Sequence, residues 1–384
     1  MLVHLPKFQK RKTATLKTIN INTIKKLILG VFFVLATSST LFAQEHQEEN
    51  TKEEEFNITE MIMHHIGDSH NFHILEWDGH PVSMPLPIIL WTDNGLVTFM
   101  SSEFHHDEKG TVVVEKNDQK FTLFHGKIYY ANNEANSHGE YITLDAKHHP
   151  ENARVLDFSI TKNVFSMFLS MIVLILLFLA AARSYRKSDN NVPSGIAKFT
   201  EPLIVFIRDE VAIPNIGEHK YKRYMPFLLT IFFFIWLNNI FGLIPFFPFS
   251  SNLSGNIGFT FTLAFITFII TTVVAKKNYW KHIFWMPGLP VPMKIFLAPI
   301  EFIGMFVKPI ALMIRLFANI TAGHVIVLSL ISLIFILKTV WISPVSVLFT
   351  IFISVIEILV VAIQAYIFTM LSALYFGQAL EEEH

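Results

Sequence analysis

Residues 164–182 form a run of nineteen without one charged side chain. Nothing else in the chain restricts its fold as strongly. About 20 apolar residues make an α-helix long enough to cross a hydrocarbon core of about 30 Å, where every backbone N–H and C=O must be satisfied within the chain. Four more apolar runs follow, at 225–243, 257–275, 293–337 and 341–379. With 52% hydrophobic and 16% charged residues, the composition lies outside the range of soluble domains. The expected fold is mainly α: a polytopic membrane protein of about five membrane-embedded helices, two of them long and inclined. An amphipathic surface helix and a small N-terminal domain with β character complete it.

Charge sets the orientation. Arg183, Arg186 and Lys187 follow the first run directly, so its C-terminal end is expected in the cytoplasm. Residues 1–43 hold seven Lys/Arg and no acid, then an apolar core at 27–36 and Leu41-Phe42-Ala43, the order of a signal peptide cleaved near Ala43; the alternative is an uncleaved anchor helix from Leu27 to Ala43, which is short for a span. Both signals export the stretch between them. Residues 44–163 hold eight basic and twenty-one acidic residues, so the near-zero net charge hides strong segregation.

Residues 44–160 read as an acidic, His-rich extracytoplasmic domain that carries twelve of the seventeen histidines. Residues 88–91, the turn Asp93-Asn94-Gly95 and residues 96–100 predict a hairpin, and 111–114, 121–124 and 127–130 are further strands. His64 and Asp68 would share a helix face, as metal ligands do. The histidines, including His64, His65, His70, His73, His105, His106, His148 and His149, follow no ligand spacing, so the expectation is a solvated polar surface without metal. Cysteine is absent, which excludes disulfides and thiolate chemistry.

Residues 192–213 mix Lys198, Glu201, Arg208, Asp209 and Glu210 with apolar positions, as an amphipathic surface helix does. The loop through Asn256 has no Lys or Arg and is expected outside. Lys276, Lys277, Lys281 and His282 mark the inside again, and the tail is cytoplasmic by span count. Residues 293–337 as one helix would be about 67 Å long, roughly twice the hydrocarbon thickness. The run must lie strongly inclined, bend near Pro309 or form a hairpin. Periodicity alone does not choose.

This run contains Arg315, a cation that cannot be neutralised at membrane depth. Asn319, four residues on, shares its face; His324, nine residues on, faces the opposite side about 13 Å along the axis. Glu357 and Gln364, seven apart, share a face of the last run. Asn238 and Asn239 at the end of the second run are candidate channel-lining amides. Each polar residue except Arg315 also has a bland reading. A lone amide is often glue between helices, Lys308 can snorkel, and Glu301 can pair with it.

Arg315, Leu316, Phe317, Asn319, Ala322 and Gly323 form the pattern R-L-F-x-N-x-x-A-G, and over about residues 155–384 the chain resembles subunit a of the membrane sector of F-type ATP synthases. The resemblance implies that Arg315 faces the rotating c-ring, with Asn319 and Gln364 beside it. It implies that His324 and Glu357 supply the imidazole and carboxylate of the outer proton path, in reverse order to some members, and that Glu301 belongs to the cytoplasmic path. It implies the inclined-helix form of residues 293–337. Implied partners are the c-ring, b subunits and the rest of the synthase in the inner membrane, with the lipid bilayer around them, no cofactor and no nucleic acid. The resemblance does not cover residues 44–160. The expected division is 1–43, 44–160 and 161–384.

No G-x-x-x-x-G-K-[ST] occurs in the chain, so ATP chemistry is expected in partners. An ion-coupled secondary transporter is the competing class, but it calls for an internal repeat, and none is evident. An intramembrane hydrolase would need a nucleophile near His324, and no serine stands out for that role.

Overall fold

The computed structural model describes residues 66–381, apart from 78–79, 146–148, 188–193, 245–246 and 338–339. The expected leader over 1–43, the acidic stretch after it, and His64, His65 and His148 lie outside the described residues.

The N-terminal part is built of antiparallel strands. β1 (Asn71–Trp77) pairs with β2 (His80–Pro85). β3 (Pro87–Thr92) pairs with β4 (Gly95–Met100) and, on its other edge, with β8 (Leu156–Asp157). β5 (Lys109–Lys116), β6 (Gln119–Phe124) and β7 (Lys127–Tyr130) make a third sheet. The hairpin expected around Asp93-Asn94-Gly95 is present, with Thr92 opposite Gly95 and Gly95 at φ +103°. The hairpins of the third sheet close on Asn117-Asp118 and His125-Gly126, with φ positive at all four residues, the two-residue geometry that suits strand twist. Alternation along β3 and β4 turns Ile88, Leu90, Val97 and Phe99 inward onto Phe104, Phe121, Leu123 and Ile128.

Helix α1 (Lys162–Lys187) leaves this domain and begins the membrane part. Its first turn is tied to the strands by Asp68, whose carboxylate accepts from Asn163 N at 3.1 Å and Thr161 Oγ1 at 2.8 Å. That contact gives Asp68 the role of a helix N-terminal acceptor, spent on backbone and hydroxyl donors. α2 (Ala197–Phe206), a π-helical turn (Ile207–Ala212) and α3 (Ile213–Ile216) replace the single amphipathic helix expected at 192–213. Pro202 and Pro214 each lack an N–H to give the ladder, so one regular helix over this length would be weakened twice.

α4 (Tyr221–Leu243), α5 (Ile257–Val274), short α6 (Lys277–Phe284), α7 (Val291–Ile336) and α8 (Ser343–Leu380) complete the chain. Five helices are long and apolar enough to cross a membrane. α7 is one continuous helix of 46 residues, passing through both Pro299 and Pro309, so the hairpin alternative is excluded. At 1.5 Å per residue it is about 69 Å long and α8 about 57 Å, so both must lie inclined in a core of about 30 Å.

α7 and α8 run antiparallel. Lys308 reaches Gln378, Asn319 reaches Gln364, His324 faces Glu357, and Ser346 bonds the Leu330 carbonyl, so one number falls as the other rises. The seam is the stripe Leu312, Leu316 and Ile320, spaced one helical turn apart, against Val361, Ala365 and Phe368.

Candidate functional site

Helix periodicity determines which side of α7 each polar group occupies. Leu312, Leu316 and Ile320 point into the bundle, which turns Arg315 and Asn319 toward the exposed side. Among the described residues, no carboxylate lies within ion-pair distance of Arg315 and no acceptor takes a hydrogen bond from it. Asn319 reaches sideways to α8, where its Nδ2 donates to Gln364 Oε1 at 2.8 Å. Gln364 is 2% exposed, so this bond satisfies an amide that would otherwise be buried and unpaired. The result is a cation displayed on a membrane helix beside an ordered pair of amides.

His324 lies on the opposite side of α7, as nine residues of helix require. Its Nε2 is 4.0 Å from Glu357 Oε1. Glu357 is 6% exposed, and that oxygen has no hydrogen-bond partner among the described residues. Gly323 permits the approach: a Cβ there would stand 2.6 Å from Glu357 Oε1. Gly242, near the end of α4, does the same for the neighbouring loop. A Cβ on it would be 2.9 Å from the Ser251 carbonyl and 3.9 Å from His324 Nε2. Two glycines thus bring α4, α7 and α8 close around one imidazole and one carboxylate.

The two asparagines on α4 are both buried. Asn238 Nδ2 donates to the Phe234 carbonyl, and its Oδ1 accepts from Ser170 Oγ on α1 at 2.7 Å. Asn239 Nδ2 is buried without a partner among the described residues. A polar seam missed by sequence reasoning runs along α1 through Asn163, Ser166 and Ser170, all buried, with Ser251 Oγ donating to Asn163 Oδ1 at 2.5 Å. The spacing of three and four residues was the available signal.

Glu301 lies on α7 fourteen residues before Arg315, about 21 Å along the axis and away from His324. Across from it stands Tyr279 on α6, whose hydroxyl is pushed up from its ordinary value by burial and then by the charge of Glu301. Lys308 does not pair with Glu301; its Nζ donates to Gln378 Oε1 at 3.0 Å and lies 5.7 Å from the centre of the Tyr375 ring. Lys308, Tyr279, Thr267, Thr271, Tyr375 and Gln378 enclose a small cavity of about 10 Å³. The threonines of α5 repeat on one face: Thr260, Thr267 and Thr271 are all buried.

The arrangement offers titratable groups on both sides of a fixed charge. Glu357 and His324 lie to one side along α7 and Glu301 to the other, so a proton could be passed toward Arg315 from either direction without passing through it.

Comparison with known proteins fits this geometry. Residues 164–377 match the family described as ATP synthase A chain, and residues 61–158 match a domain of unknown function. The chain is 45% identical over 233 residues to ATP synthase subunit a of Chloroherpeton thalassium, covering 59% of this chain and 68% of that protein. It is 46% identical over 230 residues to ATP synthase subunit a 2 of Chlorobaculum tepidum, covering 58% and 64%. It is 41% identical over 233 residues to ATP synthase subunit a of Anaeromyxobacter dehalogenans, covering 59% of each chain.

Proposed function

The chain belongs to the ATP synthase A chain family, and from that premise we propose that Arg315 is the rotor-facing charge of a proton-conducting stator with two offset half-channels. It is a non-catalytic membrane subunit; ATP chemistry belongs to other subunits of the complex. The observation that carries the reading is the exposure of Arg315. A guanidinium on a membrane helix needs a counter-charge, and among the described residues this chain supplies none. A carboxylate on a c-subunit of the ring would meet that need from outside.

In this reading protons arrive from the outer side through Glu357 and His324, with Asn238 and Asn239 lining the approach. They neutralise a c-subunit carboxylate, which then faces lipid as the ring turns. The second path, near Glu301, returns the proton to the cytoplasm. Arg315 favours the ionised form of each carboxylate that reaches it and keeps the two paths apart, because a proton gains nothing by moving onto a guanidinium. Asn319 and Gln364 hold the α7–α8 seam beside it. Residues 1–43 act as the export signal, the strand domain lies outside the inner membrane, the C-terminus is cytoplasmic, and b subunits complete the stator.

The test is proton movement in membrane vesicles carrying Arg315→Ala. ATP-driven pumping should fall at least about 100-fold with the complex still assembled. Passive leak down an imposed gradient should rise. Normal pumping in the variant would overturn the assignment.

A further inference from the structure

Between Glu301 and Arg315 lies a gap that the second path has to cross. The two are fourteen residues apart on α7, about 21 Å along the axis, and Lys308 stands midway on the same face, seven residues from each. A free hydronium ion is disfavoured beside a lysine ammonium, because like charges repel. A proton crosses such a place more easily along neutral hydroxyls, each of which accepts one proton as it gives another.

The structure holds such groups at this level. The cavity of about 10 Å³ is lined on α7 by Met305, Lys308, Pro309 and Leu312, so it lies between Glu301 and Arg315 along the helix. Tyr279 of α6 and Tyr375 of α8 line it as well. The charge of Glu301 acts on Tyr279, and the charge of Arg315 acts on Tyr375. Tyr375 precedes Gln378, the partner of Lys308, by three residues on an antiparallel helix, so it is about one turn nearer to Arg315. One tyrosine thus stands toward each charge.

Packing fixes both. α6 starts beside Lys276, whose N–H donates to the Ala379 carbonyl near the end of α8 at 2.9 Å. Its Phe284 ring lies 5.9 Å from that of Phe302 on α7. The Lys308 ammonium is drawn to Gln378 Oε1 at 3.0 Å and lies 5.7 Å from the centre of the Tyr375 ring. The cavity has about the space of one water. Thr271 Oγ1, on its wall, gives its proton to the Thr267 carbonyl at 2.8 Å, which leaves the oxygen as an acceptor.

We propose that one water in this cavity joins Tyr375 to Tyr279, and that the proton travels from the rotor to Glu301 along this relay. The inference rests on the reading of Arg315 as the rotor-facing charge. In one passage the carboxylic acid of the rotor gives its proton to the Tyr375 oxygen, and Tyr375 gives its own to the water. The water gives one to Tyr279, and Tyr279 gives its own to the Glu301 carboxylate. Every O–H bond broken is matched by one formed. The rotor carboxylate is left ionised beside Arg315, and Glu301 passes the proton on to the cytoplasm. During ATP-driven pumping the same relay runs in reverse.

The experiment measures ATP-driven pumping in membrane vesicles carrying the assembled complex with Tyr279→Phe or Tyr375→Phe. Each change removes one hydroxyl and keeps the ring. Pumping should fall at least about tenfold in each, and the double variant should be no slower than the slower single one, because one relay is broken either way. The ratio of pumping in H2O to that in D2O should rise in the variants, whereas a loss of packing would lower the amount of assembled complex and leave the ratio unchanged. Tyr366→Phe, on α8 against Phe206, should match wild type. Normal pumping in both single variants, with Arg315→Ala inactive, would place the route along the rotor surface and overturn the relay alone. An unchanged isotope ratio, or losses that multiply in the double variant, would overturn it as well. Pumping by Arg315→Ala would bring down the stator reading itself.

Discussion

Of the histidine–carboxylate pairs among the described residues, the two that are largely buried are built to opposite ends. In the strand domain His70 and Asp157 meet at 2.8 Å, and the carboxylate is also held by the Ser159 backbone. In the membrane domain His324 and Glu357 stand 4.0 Å apart, and Glu357 Oε1 has no hydrogen bond among the described residues. At 2.8 Å a proton is committed to one bond and the pair acts as a clamp between distant strands. At 4.0 Å neither group is locked to the other, so each can exchange a proton with water or a third group. The same two residue types therefore serve cohesion in one place and, in the proposed proton path, transfer in the other, and the spacing makes the difference.

Three changes would break or sharpen that contrast. Glu357→Gln keeps the size of the side chain and removes its ability to carry a proton. ATP-driven proton pumping in vesicles should fall at least about 100-fold, the scale of one positioned acid–base group, with the complex intact. A variant that pumps normally would move Glu357 out of the path.

Gly323→Ala comes next, because its methyl would claim the space 2.6 Å from Glu357 Oε1. Glu357 must swing away, and pumping should fall about tenfold, since a shift of about 1 Å in a reacting group can cost up to 100-fold. Unchanged pumping would show that the close approach of α7 and α8 at this point is not needed for transfer.

The smallest effect on pumping belongs to Asp157→Asn. Flux should stay within about twofold, while the strand domain loses about 1 kcal/mol of stability, as expected when a part-buried, charge-assisted hydrogen bond becomes a neutral one. Thermal unfolding followed by a strand-domain probe would measure it. Burial alone would raise the Asp157 carboxyl, but the bonds from His70 and Ser159 hold it below the ordinary aspartate value of about 3.8. Its contribution is therefore complete above that value and is lost as pH falls through the lower folded value. The wild-type domain should weaken in that acid window, and the variant should show less of this dependence. Identical acid profiles would remove Asp157 from the clamp.

Much of this could be read before any coordinates. The five spans follow from the lengths of the apolar runs. The hairpin at Asp93-Asn94-Gly95 follows from turn chemistry, and the singular place of Arg315 follows from the cost of its charge. Other elements were not legible. β8 is two residues long and exists only by pairing with Leu90 and Trp91, far away in sequence. β1 carries a register irregularity and no clean alternation. Asp68 gave a local hint of a metal-binding face with His64, yet its carboxylate goes to α1 from 95 residues away.

The sequence by itself determined the membrane class, the candidate proton-handling groups and the two faces of α7, because hydropathy and helical period are local properties of the chain. Only the tertiary structure decided that α7 is one unbroken helix and that Asn319 meets Gln364. It alone set one histidine at 2.8 Å from its carboxylate and the other at 4.0 Å. Those outcomes depend on how two long helices slide along each other until Gly323 and Gly242 admit their neighbours. Register of that kind is set by packing across segments that share no local signal.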